Sequence, residues 1–219
     1  MGFIAKDSGG SDFKRVPPGV HIGRCVGVID LGTQEVDWQG DKKLQHKVQL
    51  KWELFGEDEN GQPLEVDQDG RSMPMTISKR YTMSLSDKSR LRADLAAWRG
   101  RDFTDEELHS FDVSKLAGAY CMVNVTSSET NGKTYSNVAN LTPLPAALKN
   151  AKPAGVHPVI LFDIDSPDMK IYATFYEKLR ETIQASMEWQ SKGSRSRITE
   201  REPTAFDDMP NDEFEAPPF

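Results

Sequence analysis

The sequence is short of the residues that build catalytic and metal centres. It has two cysteines, Cys25 and Cys121, with no CxxC pair and no cysteine–histidine cluster, so the usual zinc-binding patterns are excluded. His21, His46, His109 and His157 are scattered along the chain. No G-x-S-x-G nucleophile motif accompanies them, and the glycine-rich stretch GVHIGRCVG lacks the Lys-Ser/Thr of a phosphate-binding loop. Nothing therefore calls for catalysis, a cofactor or a metal. No apolar run approaches the roughly 20 residues of a membrane-spanning helix. The start, MGFIAKDSGG, has no secretory apolar core, and Lys6 stands where a myristoylation signal wants Ser or Thr. These absences lead to the expectation of a reduced, cytoplasmic protein, with both cysteines acting as small buried apolar groups.

Acids outnumber bases, 34 to 27, but unevenly along the chain. The net charge is −7. Five of the acids, Asp207, Asp208, Asp212, Glu213 and Glu215, lie from Pro203 onward with no lysine or arginine among them, so residues 1–202 carry only −2. The body is nearly neutral and does not repel an acidic partner.

What is present is β-patterned. After a flexible leader over 1–18, GVHIGRCVGVIDLG is strand-like, with Gly23 and Gly27 pointing to curvature or a bulge. KLQHKVQLKWELFG alternates, with Leu44, Val48, Leu50, Trp52 and Leu54 largely on one face and Gln45, Lys47, Gln49, Lys51 and Glu53 on the other. Residues 56–74 form a long polar connection, and MTISKRYTMSL is a third strand. The period then changes to helical. Ser86 caps a helix carrying Leu91, Leu95 and Trp98 that Gly100 stops, and Thr104 with Glu107 opens a second as a capping box. AYCMVNVTSSE and KTYSNVANLTPL follow as strands joined at Asn131-Gly132, a hairpin turn.

Five strands alone also fit a β-sandwich or an SH3-like barrel, but a helical insert between strands 3 and 4 is the order of an OB-fold, so a mainly β, five-stranded barrel is expected over 19–145. A linker and C-terminal helix occupy 146–190, with Ser166 as cap, Pro167 and Asp168 in the first turn, and Tyr172, Phe175, Leu179 and Ile183 as its apolar stripe. That stripe packs on the barrel or on a second subunit of a homodimer. Residues 191–219 form a disordered acidic tail.

The nucleic-acid face of an OB-fold lies over strands two and three, with the loops after strands one and four closing on it. Lys47 and Lys51 of the second strand and Lys79 and Arg80 of the third supply cations there. The loop GTQEVDWQGDKK adds Trp38, Lys42 and Lys43, and the loop SSETNGKTYS adds Lys133 and Tyr135. Lysines that track phosphates and aromatics that stack on bases suit single-strand binding. Asp163, Asp165 and Asp168 stand close enough to consider a metal, but they lack the glycine and terminal glutamate of a calcium loop.

The end of the chain, AFDDMPNDEFEAPPF, adds a resemblance. Asp207, Asp208, Asp212, Glu213, Phe214, Glu215, Pro218 and Phe219 resemble the tail of single-stranded DNA-binding proteins of bacteria and their phages, in which acids precede a terminal Pro-Phe. Here Ala216 and Pro217 intervene, and FDDMP at 206–210 looks like a second partial copy. The long polar loop and helical insert point to the phage-encoded branch. The resemblance implies binding and protection of single-stranded DNA in phage replication or recombination, in the host cytoplasm. It also implies docking of the terminal Phe219 and its carboxylate on replication and repair enzymes. Two other readings fit the same residues: an OB-like replisome adaptor without DNA affinity, and a metal-dependent nuclease using Asp163, Asp165 and Asp168.

Deletion of residues 203–219 separates tail from barrel. The truncated chain is expected to hold oligo-dT as tightly as the full chain or more so in anisotropy titrations, because an acidic tail competes with DNA. Its capture of replication enzymes in pull-downs is expected to disappear.

Overall fold

The structure, a computed structural model, describes residues 14–38 and 40–192. It is mainly β, with an antiparallel sheet and a few short helices. The first strand, β1 (Gly19–Trp38), is 20 residues long and organises the rest. Along one edge it pairs with β2 (Asp41–Phe55), from Ile22 opposite Phe55 to Trp38 opposite Asp41. Along the other edge it pairs first with β6 (Tyr120–Thr130), through Gly19–Arg24, and then with β8 (Ile160–Phe162), parallel, through Gly27–Ile29. A bulge between Cys25 and Gly27 marks the change of partner, and a second lies between Asp30 and Gly32. Gly32 has φ 68°, and a side chain there would lie 2.7 Å from Glu188 Oε2. The glycine is needed both for its backbone angle and for that approach.

β5 (Thr76–Thr82) pairs with β2, and β7 (Lys133–Thr142) with β6, giving the order β5-β2-β1-β6-β7 with β8 beside β1. β5 and β7 approach one another, but no ladder joins them among the described residues, so the sheet does not close into a hydrogen-bonded barrel. The polar connection after β2 contains an unforeseen hairpin, β3 (Glu65–Gln68) and β4 (Arg71–Pro74). Its turn residues Asp69 and Gly70 have φ 54° and 77°, the left-handed pair that an Asp-Gly dipeptide accommodates.

Between β5 and β6 lie α1 (Arg90–Arg99) and α2 (Asp105–His109). α1 is capped by Ser89, three residues after the expected Ser86, and ended by Gly100 in the left-handed region. The Thr104–Glu107 capping box forms as its spacing predicts. Leu91, Leu95 and Trp98 of α1 enter a core with Val48, Leu50, Trp52, Leu54, Ile77 and Tyr81, where the rings of Trp52 and Trp98 lie 6.0 Å apart. Cys25 and Cys121 are both free and buried, and burial pushes the Cys25 thiol up to about 12.

After a single-turn α3 (Ala146–Lys149), the C-terminal extension is not one helix. α4 (Met169–Ala173) is capped by Asp168 rather than Ser166, α5 (Glu177–Gln184) follows, and residues 187–192 are again helical. Its stripe behaves as the spacing predicts. Tyr172, Phe175, Leu179 and Ile183 are buried with Ile29, Leu31, Phe162 and Ile164 in a second core built on β1. Through β8 the extension belongs to the sheet itself. Among the described residues no helix is long and apolar enough to cross a membrane.

One interaction ties the extension across the sheet. Glu53, expected on a solvent face, is fully buried because residues 155–157 pass over it. Arg24 Nε lies 2.6 Å from Glu53 Oε1. The amides of Val156 and His157 donate to Glu53 Oε2 at 3.2 and 2.8 Å. A side chain on Gly155 would collide with the Arg24 guanidinium. Removing one partner of such a pair leaves a buried charge uncompensated, so Glu53→Gln is expected to lower stability in urea unfolding by about 3–5 kcal/mol. A double Arg24→Met, Glu53→Gln variant, which removes the unpaired charge and keeps an acceptor for the Val156 and His157 amides, is expected to recover part of that loss.

Candidate nucleic-acid interface

The strand register brings part of the candidate set together. On β2 the even-numbered residues from Val48 to Leu54 enter the core, so Gln45, Lys47, Gln49 and Lys51 share the opposite face. Cross-strand pairing sets Lys47 beside Thr82, Gln49 beside Arg80 and Lys51 beside Ser78. Lys47, Lys51 and Arg80 therefore form one group, as the alternation predicts. Lys79 is the exception. It points to the other side of β5, where its ammonium lies 2.6 Å from the buried Asp94 and 5.2 Å from the centre of the Tyr81 ring. Its charge serves the core, and the reason is the two-residue period of the strand.

The ways in which these cations are held differ. Lys47 donates to the Gln45 side chain and, at 2.8 Å, to Thr82 Oγ1. Arg80 Nε donates to Gln49 Oε1 at 3.0 Å, and Gln49 is buried beneath it. Lys51 meets no carboxylate among the described residues, and burial holds its ammonium below the usual lysine range. Burial lowers Lys47 in the same direction. The only carboxylate on this face of β2 between Gln45 and Glu53 is Glu53 itself, and Arg24 neutralises it. By contrast, Arg24, Lys42, Lys79, Arg90, Arg92, Arg99 and Arg101 all meet carboxylates. The arginines of α1, Arg90, Arg92 and Arg99, are thus consumed within the fold.

The two expected closing loops are not brought together. The stretch read as a loop after the first strand is a two-stranded ribbon, the continuation of β1 and β2, with Trp38 paired to Asp41 at its tip. Lys42 is exposed and lies 2.7 Å from Glu35. Lys43 is exposed opposite Val36. Leu44, expected in the core, is 58% exposed because the ribbon runs past the packed layer. The β6–β7 hairpin turns at Asn131-Gly132 as its sequence predicts, but it projects beyond the Gly19 end of β1, away from the ribbon tip. Lys133 and Tyr135 instead line a cleft of about 850 Å³ with Lys14, Arg15, the β3–β4 hairpin and Ser78. Nothing in the spacing of Lys14 and Arg15 marked them for this cleft. Asp69-Gly70 is the signal from which the β3–β4 hairpin was readable.

Asp163 and Asp168 are engaged with backbone. Asp163 Oδ1 accepts from the Asp165 amide at 2.8 Å, and Asp168 Oδ1 from Lys170 and Ile171 at 2.8 and 3.3 Å. Among the described residues no group of three His, Cys, Asp or Glu is placed to hold a metal ion. Asp207, Asp208, Asp212, Glu213, Phe214, Pro218 and Phe219 lie outside the described residues. No protein-family model matches the chain, and no curated protein matches it in sequence.

A half-buried ammonium without a counter-charge costs stability. Because the Lys51 pKa is lower in the fold than in the unfolded chain, the cost is present at neutral pH and fades as pH rises towards the value of a free lysine. Lys51→Met is expected to raise the midpoint of thermal unfolding at pH 7, and this advantage over the parent protein is expected to shrink as pH approaches 10.5.

Proposed function

We propose that this protein binds and protects single-stranded DNA, laid over the outer face of β2 and β5, and that it acts in phage-type replication or recombination as a binding protein rather than an enzyme. The observation that carries the reading is the set of cations without carboxylate partners on that face. Lys47 and Arg80 rest on neutral oxygens and Lys51 on none, while most other engaged cations of the body are matched with acids. Such a row is left to be completed by an anion. Alternate residues on a strand lie about 6.8 Å apart, so Lys47, the Arg80–Gln49 pair and Lys51 make a regular series suited to a repeating backbone charge.

The arrangement of strands supports an OB-type barrel. β1 lies between β2 and β6, β5 and β7 are the outer strands and approach each other, and α1 and α2 fall between the third and fourth barrel strands. The acidic segment 205–219 supplies the docking peptide for replication and repair enzymes. Its acids steer towards a basic patch and Phe219 anchors. The lysines of the ribbon extend the path at one end.

Fluorescence anisotropy with labelled oligo-dT and a duplex of equal length, each at two salt concentrations, tests the reading. Tighter binding to oligo-dT is expected, with log affinity falling by roughly 0.7 per phosphate contact for each unit of log salt. Combining Lys47→Ala, Lys51→Ala and Arg80→Ala is expected to reduce that slope by about 2. Equal affinity for both DNAs, or affinity independent of salt, would refute it.

A further inference from the structure

The cleft beside the β6–β7 hairpin has features that a phosphate-tracking surface does not require. Residues 14–16 bridge its two sides: Lys14 Nζ donates to the Glu65 carbonyl on β3 at 3.1 Å, and Ser136 Oγ on β7 donates to the Val16 carbonyl at 2.6 Å. At about 850 Å³ it falls within the roughly 300–1,000 Å³ of pockets that hold small organic groups. Tyr135 stands in its lining with 48% of its surface exposed, whereas Trp52, Trp98, Tyr81, Tyr172, Phe103, Phe162 and Phe175 are buried. Arg15 and Lys133 line it too and meet no carboxylate among the described residues. The lining also carries two acids, Glu65, which accepts from the Ser72 hydroxyl, and Asp67, which accepts from the Gly70 amide at 3.1 Å, so its three cations Lys14, Arg15 and Lys133 leave it one positive charge in excess. The cleft opens beside the cationic face, since Ser78 lines it and is the cross-strand partner of Lys51.

From this we infer that the cleft takes an unpaired nucleotide from the same strand, its base against the Tyr135 ring and its phosphate towards Arg15 and Lys133. The inference rests on the single-strand reading and adds a division of labour to it. The β2–β5 face contacts phosphate and is indifferent to bases, whereas the cleft is a base site. A base inside a duplex is stacked and paired on both sides and cannot enter, so the cleft is also the element that rejects double-stranded DNA. The chain segment 14–16 is then a wall of the site.

Two labelled probes of equal length separate the two surfaces: oligo-dT, and an oligomer of abasic sugar-phosphate units carrying the same charge without bases. Tyr135→Ala is expected to weaken oligo-dT binding by about 5- to 150-fold, the range of one lost base–aromatic stack, and to leave the abasic oligomer unchanged. Tyr135→Phe keeps the ring and is expected to retain the parent affinity for both. Arg15→Ala with Lys133→Ala is expected to weaken both probes. A Tyr135→Ala protein that binds oligo-dT as the parent does, or that loses both probes equally, overturns the base site. The single-strand reading survives that result if the Lys47, Lys51 and Arg80 variants still weaken both probes. A parent protein that binds neither probe overturns both.

Discussion

Everything in this fold hangs on β1 serving several neighbours at once. One strand of 20 residues holds β2 on one edge along nearly its whole length, and β6 and then β8 on the other. A regular strand cannot change partners in this way without adjusting its ladder. The bulges at Cys25–Gly27 and Asp30–Gly32 make that adjustment, and Gly27 and Gly32 stand at them. The consequence is that two cores share a backbone. The larger gathers β2, β5, β6, β7 and α1, and the smaller gathers β8, α4 and α5. The buried Arg24–Glu53 pair, covered by residues 155–157, fastens the second to the first.

That construction explains why the proposed binding face is polar yet only partly exposed. The C-terminal extension packs against Ile29 and Leu31 of β1, and Ile29 is the cross-strand neighbour of Gln49. Gln49 is buried with Arg80 donating to it, and Lys51 is half-buried. Neutral amides then take the place that carboxylates occupy elsewhere in the molecule. A surface selected only for stability would gain from an apolar residue at Lys51 or an acid beside it. A desolvated cation without a counter-ion is the feature that the proposed anionic ligand would complete.

The two ends of the face have different characters. At one end the β1–β2 ribbon projects beyond the packed layer with Lys42, Lys43 and Leu44 exposed. At the other the cleft is walled by the N-terminal segment and two hairpins. A strand crossing between them would meet an open ribbon, then a row of cations, then a cleft with an exposed aromatic ring. The acidic tail carries most of the net negative charge of the chain, so it leaves the body almost neutral and available to such a ligand.

By itself the sequence determined what is local or periodic. The core face of β2, the apolar stripe of the C-terminal segment, the Thr104–Glu107 box, the Gly100 stop and the Asn131-Gly132 turn all depend on residues within a few positions of one another. So does the grouping of Lys47 with Lys51, while Lys79 shows the same period working against its expected role, since it faces Asp94. Tertiary structure decided what depends on pairing between distant segments. Glu53 is inside because residues more than 100 positions later cross over it. Lys133 and Tyr135 part from Trp38 because β6 pairs with the start of β1 and the ribbon lies at its end. Lys14 and Arg15 reach the cleft because Val16 of their segment is buried in the main core and the segment hydrogen-bonds to β3 and β7. Alternation states which face a side chain takes. It carries no information about which distant segment will cover that face, because burial is a property of the assembled layers.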